Sequence, residues 1–133
     1  MEGGRVNRLK SPFKQWPSAA EVFKTKSTTE AFELAMEMGQ ELSQLGINLN
    51  FSPCVDILTN PENTVIGDRA YSSNYEDVAT YASATARGLL KSNIMPCLKH
   101  FPGHGNTLLD SHEDLPYEAT PLSQLQELSL IHI

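Results

Sequence analysis

The links between periodic segments constrain this chain more than any single residue. A helix pattern stops at Gly46 and an alternating segment, Ile47-Asn48-Leu49-Asn50-Phe51-Ser52-Pro53, begins at once. A second helix pattern ends at Lys91-Ser92-Asn93, and the apolar run Ile94-Met95-Pro96-Cys97-Leu98 follows without a spacer. The links in the other direction are long and polar: Cys54 to Ser72 after the first strand, and the stretch from Lys99 onward after the second. Helices that alternate with single strands, joined tightly on one side and loosely on the other, imply right-handed βαβ units and a parallel sheet. Long loops confined to the strand C-terminal side are the mark of a (β/α)₈ barrel at its working face.

The helix patterns carry their own start signals. Ser27-Thr28-Thr29-Glu30 reads as a capping box ahead of an apolar stripe at Ala31, Leu34, Met38, Leu42 and Leu45. Ser73-Asn74-Tyr75-Glu76 reads as a second, ahead of Val78, Ala82, Ala86 and Leu89. A third helix is expected after Thr120, with Pro121 at its first position and Leu122, Leu125, Leu128 and Ile131 on one face. Residues 1–26 show no period and read as irregular. Two strands and three helices are too few for a closed barrel, which needs eight of each and about 250 residues. The fold expected is therefore α/β, a partial (β/α)₈ barrel, with 133 residues forming one piece of a barrel domain.

Composition removes several function classes. A formal charge of −6 and the absence of a Lys/Arg cluster argue against a nucleic-acid surface. No apolar run reaches the length of a membrane span. No signal-peptide h-region follows Met1, and a cytoplasmic location is the expectation. Cys54 and Cys97 lie in or beside apolar runs and read as buried free thiols.

Chemistry concentrates in Lys99-His100-Phe101-Pro102-Gly103-His104-Gly105-Asn106-Thr107-Leu108-Leu109-Asp110-Ser111-His112, which holds three of the four histidines. Metal binding by His100, His104 and His112 with Asp110 or Glu113 is one reading, but Pro102-Gly103 breaks the helix that would align the first two. In Asp110-Ser111-His112 the aspartate could orient the imidazole as a general acid/base; an Asx-turn beside an incidental histidine is the plainer alternative. Lys99-His100 and Gly67-Asp68-Arg69 could hold a polar ligand's hydroxyls, or could be a lysine paired with a structural carboxylate and a plain turn. Arg8 says little by itself.

Taken together, Glu2-Gly3-Gly4-Arg5-Val6-Asn7-Arg8, Asn50-Phe51-Ser52-Pro53-Cys54-Val55-Asp56, Ile66-Gly67-Asp68-Arg69-Ala70-Tyr71, Lys99 to Gly105 and Asp110-Ser111-His112 resemble successive motifs of glycoside hydrolase family 3, in order and nearly throughout the chain. The likeness is greatest to the β-N-acetylglucosaminidase branch. It implies His112 as acid/base with Asp110 as its dyad partner, and Arg8, Arg69, Lys99 and His100 as sugar-binding residues. Asp56 and His104 match positions of structural or supporting character. It further implies retaining hydrolysis of terminal β-N-acetylglucosamine, in muropeptides for example during cell-wall recycling, with no cofactor and no metal. The family's nucleophile, an aspartate on a later strand, and its ligand-binding aspartate ahead of Glu2 are not among these residues, so the piece is expected to be inactive. A non-catalytic remnant that binds sugar or a partner, and a metal-dependent hydrolase, are the competing functions.

Overall fold

A computed structural model describes residues 1–107 and Pro121. Its elements run α1 (Ala19–Thr25), α2 (Thr28–Gln44), β1 (Leu49–Asn50), a 3₁₀ turn (Gly67–Arg69), α3 (Tyr75–Lys91) and β2 (Met95–Pro96). The two strands pair in parallel, Leu49 with Met95 and Asn50 with Pro96, so α3 is the crossover of a βαβ unit. An isolated parallel bridge from Cys54 to Lys99 extends the pairing past both strands. The C-terminal ends of β1 and β2 therefore open on the same side, and both long polar loops leave from there.

The first capping box forms as expected. Ser27 Oγ accepts from the Glu30 amide, and the Glu30 carboxylate accepts from the Ser27 amide at 2.7 Å. The second expectation is off by one residue. Asn74, not Ser73, caps α3, its Oδ1 accepting from the Glu76 and Asp77 amides; serine and asparagine cap about equally well, and the path of the chain puts Asn74 at the helix start. The expectation of an irregular 1–26 also needs correction, because Ser18 caps the seven-residue helix α1. A helix of two turns is too short to display a stripe, but Ser18 followed by Glu21 was a legible start signal.

Core formation rests on α2 against α3 and on the strand ends beneath them. Ala31, Val78, Ala82 and Ala84 gather with Val22, Val55 and Tyr71 in one buried cluster. Trp16, Ala35, Met38, Leu42, Leu89 and Ile94 form a second. Small residues let the helix backbones approach: a Cβ on Gly88 would lie 2.3 Å from the Phe32 carbonyl oxygen and 2.8 Å from Ala35 Cβ. Of the α2 stripe, Leu45 is exposed, since the chain turns away at Gly46. Regular strand is much shorter than Ile47–Pro53 and Ile94–Leu98. Each strand has one described neighbour, and Pro53 and Pro96 bring no amide to a ladder. The strand face also differs from a simple apolar-in pattern. Asn50 and Ser52 are buried, while Leu49, Phe51 and Met95 are 42%, 62% and 65% exposed. The helix expected after Thr120 lies outside the described residues, and no described helix is long and apolar enough to cross a membrane.

The Gly88 contact sets up a test in which two effects oppose. Gly88→Ala gains about 1 kcal/mol of helix propensity, but its methyl meets a backbone carbonyl that cannot rotate away. Overpacking costs about 1–3 kcal/mol, so the variant should unfold at lower urea than the parent chain. An unchanged or raised midpoint would mean that α2 and α3 can separate at little cost.

Candidate active site

A chain of polar groups crosses the mouth of the strand pair. It begins at Glu2, brought there by a backbone that only glycine tolerates: Gly3 has φ +100°, and a Cβ there would sit 1.9 Å from the Pro17 carbonyl oxygen. The Gly4 amide then donates to the Trp16 carbonyl at 2.8 Å. Arg69 stands at the end of the 3₁₀ turn. Asn63 shapes the approach to that turn, its Oδ1 accepting from the Ile66 amide at 2.9 Å and its side-chain amide donating to the His104 carbonyl at 2.6 Å. Lys99 and His100 follow β2 after Cys97 and Leu98 and are joined to each other by a cis peptide bond.

The Arg69 guanidinium grips Glu2 in a fork, Nε to Oε2 at 2.8 Å and Nη2 to Oε1 at 3.0 Å. Lys99 Nζ makes an ion pair with Glu2 Oε1, the oxygen that Arg69 Nη2 also reaches. Planar two-point pairing of this kind is the strong form of the charged hydrogen bond. Burial works to raise the Glu2 pKa, but the hydrogen bonds from Arg69 and Lys99 outweigh it and hold the carboxyl below its ordinary value. The Glu2 hydrogen bond in turn raises Arg69.

Arg69 also donates from Nη2 to His100 Nε2 at 3.1 Å. A guanidinium has no acceptor, so Nε2 must receive this bond and the ring proton sits on Nδ1. Nδ1 lies 2.6 Å from Asp56 Oδ2 and donates to it. Asp56, 2% exposed, accepts two more: the Cys54 thiol donates to Oδ2 at 3.1 Å and the His104 amide to Oδ1 at 2.6 Å. Burial again pushes the acid up, and the donors, led by His100 and Cys54, bring it below its ordinary value. Burial raises the Cys54 thiol well above its usual range. Both cysteines are free, Cys54 buried and Cys97 half-buried.

The structure thus brings Arg69, Lys99, His100 and Asp56 into one network. His104 joins it through its amide and carbonyl, while its Nδ1 lies 2.8 Å from Thr107 Oγ1. Arg8 is exposed and makes no ion pair with a described residue. Asp110 and His112 lie outside the described residues. Sequence reasoning missed two participants. Glu2 was read only as part of a motif, though a lone acid beside two glycines and a strand-end lysine was a usable signal. Cys54 is the buried free thiol that the sequence predicts, but its bond to Asp56 is not foreseen, though Asp56 two residues on shares its side of the chain.

The family description Glycosyl hydrolase family 3 N terminal domain matches residues 1–132. The chain is 45% identical over 112 residues to beta-hexosaminidase LpqI of Mycobacterium tuberculosis, covering 84% of this chain and 29% of that protein. It is 38% identical over 136 residues to a beta-hexosaminidase of Xylella fastidiosa, covering 98% of this chain and 40% of that protein. A glycoside hydrolase family 3 beta-N-acetylglucosaminidase from Paenibacillus superposes with a TM-score of 0.92 at 39% identity, over 96% of this chain and 24% of that one. NagZ from Neisseria gonorrhoeae, in complex with N-trifluoroacetyl-D-glucosamine, superposes with a TM-score of 0.86 at 36% identity, over 96% of this chain and 39% of that one. The chain spans less than half the length of each of these relatives.

Acid should act on this network in a definite direction. Glu2 and Asp56 have folded-state pKa values below their ordinary ones. Their contribution is complete above the ordinary carboxylate range, about pH 4, and is lost as pH falls through the lowered values. Glu2→Gln leaves two cations facing a neutral amide in a largely buried place, which should cost about 3 kcal/mol at neutral pH. Its acid-unfolding slope should also be shallower. Urea midpoints measured from pH 7 to pH 3 check both; a variant with the parent's slope would show that Glu2 does not couple to folding.

Proposed function

The chain belongs to the glycosyl hydrolase family 3 N-terminal domain family, its fold part of a (β/α)₈-type barrel, and we propose that it contributes the sugar-binding and acid/base half of a retaining β-N-acetylglucosaminidase site. One observation carries the reading. Arg69, Lys99 and His100, from two loops about thirty residues apart, meet beyond the C-terminal ends of parallel strands. They present N–H groups and a ring suited to sugar hydroxyls, held rigid by Glu2 and Asp56. Arg8, exposed on the N-terminal segment, is the fourth sugar-binding residue. The relatives named beta-hexosaminidase, and the neighbour that holds an N-acetylglucosamine analogue, support a terminal N-acetylglucosaminide as substrate.

In this reading His112, oriented by Asp110, protonates the glycosidic oxygen as it leaves and then takes a proton from the attacking water. Retention also needs a carboxylate that attacks the anomeric carbon. Asp56 is already committed to three donors. Asp68 is paired with Arg5 at 3.0 Å. Asp110 serves His112, and Asp114 matches no family motif. The family resemblance puts the nucleophile, an aspartate on a later strand, outside these residues and calls for no cofactor. Muropeptides from cell-wall turnover fit the terminal N-acetylglucosamine that the site would take.

Two measurements test this. Purified 1–133 should turn over 4-nitrophenyl N-acetyl-β-glucosaminide at background. In an enzyme that contains the segment, His112→Ala should slow glycosides with poor leaving groups by roughly 10²–10⁴, the worth of acid catalysis. Activated aryl glycosides should be slowed less in the glycosylation step. Robust turnover by 1–133 that disappears in His112→Ala would place a nucleophile within the chain. Equal losses on both substrate types would remove His112 from the acid role.

A further inference from the structure

The group Cys54, Asp56 and His100 carries more chemistry than a hydrolase that needs no metal uses. Cys54 Sγ, a carboxylate oxygen of Asp56 and a ring nitrogen of His100 all lie within 4.8 Å of one another. Cys54 and Asp56 are buried and His100 is half-buried, so the group is closed on the core side and reached past the imidazole. We propose that Cys54 Sγ, Asp56 Oδ2 and His100 Nδ1 form a capture site for a thiophilic divalent cation such as zinc, and that capture breaks the contact between Arg69 and His100.

The donor set selects the ion. One sulfur, one imidazole nitrogen and one carboxylate oxygen make a three-ligand zinc site with room for a fourth ligand from solvent. Magnesium and calcium require oxygen donors and would not compete. The three atoms are already neighbours through hydrogen bonds of 2.6 Å and 3.1 Å, so small side-chain shifts would bring them to coordination distance. On capture the thiol gives up its proton to solvent. The imidazole proton leaves Nδ1 for Nε2, so one proton is released in all and the ring stays neutral.

That relocation gives the consequence. Nε2 now accepts from Arg69 Nη2 at 3.1 Å. Once Nε2 carries a proton, two donors face each other at that distance, while Glu2 keeps its fork on Arg69. The imidazole must turn away from the guanidinium. Metal capture is thus coupled to the geometry of the Arg69–Lys99–His100 group through one ring. The metal site itself does not depend on what that group binds.

Cobalt(II) is a suitable probe, added to the purified full chain with circular dichroism to confirm folding. The expected result is one cobalt per chain and a near-ultraviolet thiolate-to-cobalt charge-transfer band, bleached by zinc and unaffected by magnesium. Cys54→Ala and Cys54→Val should abolish the band and weaken binding by roughly 10–100-fold or more, beyond the cost of losing a merely supporting group. Cys97→Ser should retain both. Imidazole ¹⁵N spectra should show the His100 proton on Nδ1 without metal and on Nε2 with zinc. No band in the parent chain, a band that survives both Cys54 variants, or a band lost equally in Cys97→Ser would overturn the proposal. Binding with the His100 proton unmoved would overturn its link to Arg69.

Discussion

A carboxylate taken out of water has to find donors, and Asp56 finds three within the space just beyond β1. That requirement organises this end of the molecule. The His104 amide comes from the loop after β2, so Asp56 fixes where that loop passes. The His100 ring comes from the same loop, and its tautomer is settled by Asp56 on one nitrogen and Arg69 on the other. An unpartnered carboxylate here would be costly enough to expel. The polar core is therefore built around the anion rather than added to a finished fold.

How much was legible depended on the range of each interaction. The capping box at Ser27–Glu30 and the stop at Gly46 rest on neighbours in sequence, and the parallel order of the strands follows from the helix between them; the residues announce all three. Asn74 displaced Ser73 because two adjacent polar residues can each cap, and only the path of the chain chooses. Strand alternation at Leu49, Asn50 and Phe51 indicated two faces without indicating which faces the helices. Asn50 turned out to be the buried member because Met1 and Met38 surround it. The placement of Lys99 and His100 beyond a strand end was legible for the same local reason. Partnerships at long range were not: nothing near Glu2 in sequence names Arg69 as its counter-ion.

The plainer reading of Lys99, a lysine paired with a structural carboxylate, is what the structure shows, and Arg69, expected in a plain turn or a clamp, shares the same carboxylate. Each is paired with a structural carboxylate, and each still stands at the strand mouth. A pre-paired cation is poorer at capturing an anion, since Glu2 already answers its charge. It is better at presenting N–H groups in a fixed direction, because little rotamer freedom remains to be lost. That property agrees with the sugar proposed for this site, a neutral, hydroxyl-rich ligand, more than with a phosphate or carboxylate. Tyr71, its pKa pushed up by burial to about 12, stays an uncharged neighbour of the core and takes no part in that balance.

The grip of Glu2 on Lys99 has a consequence in time as well as space. Residue numbers 2 and 99 are 97 apart, against 46 for Leu49 and Met95 and 67 for Glu2 and Arg69. Closing a longer loop costs more chain entropy, and contacts distant in sequence form late. The helices α2 and α3 and the strand pair they flank can assemble before the two ends of the described segment meet. Glu2 would then arrive last, onto a guanidinium and an ammonium already held near one another, and act as the latch of the mouth. Order of assembly and order of function would run in the same direction: scaffold first, and the polar cluster only when the scaffold is whole.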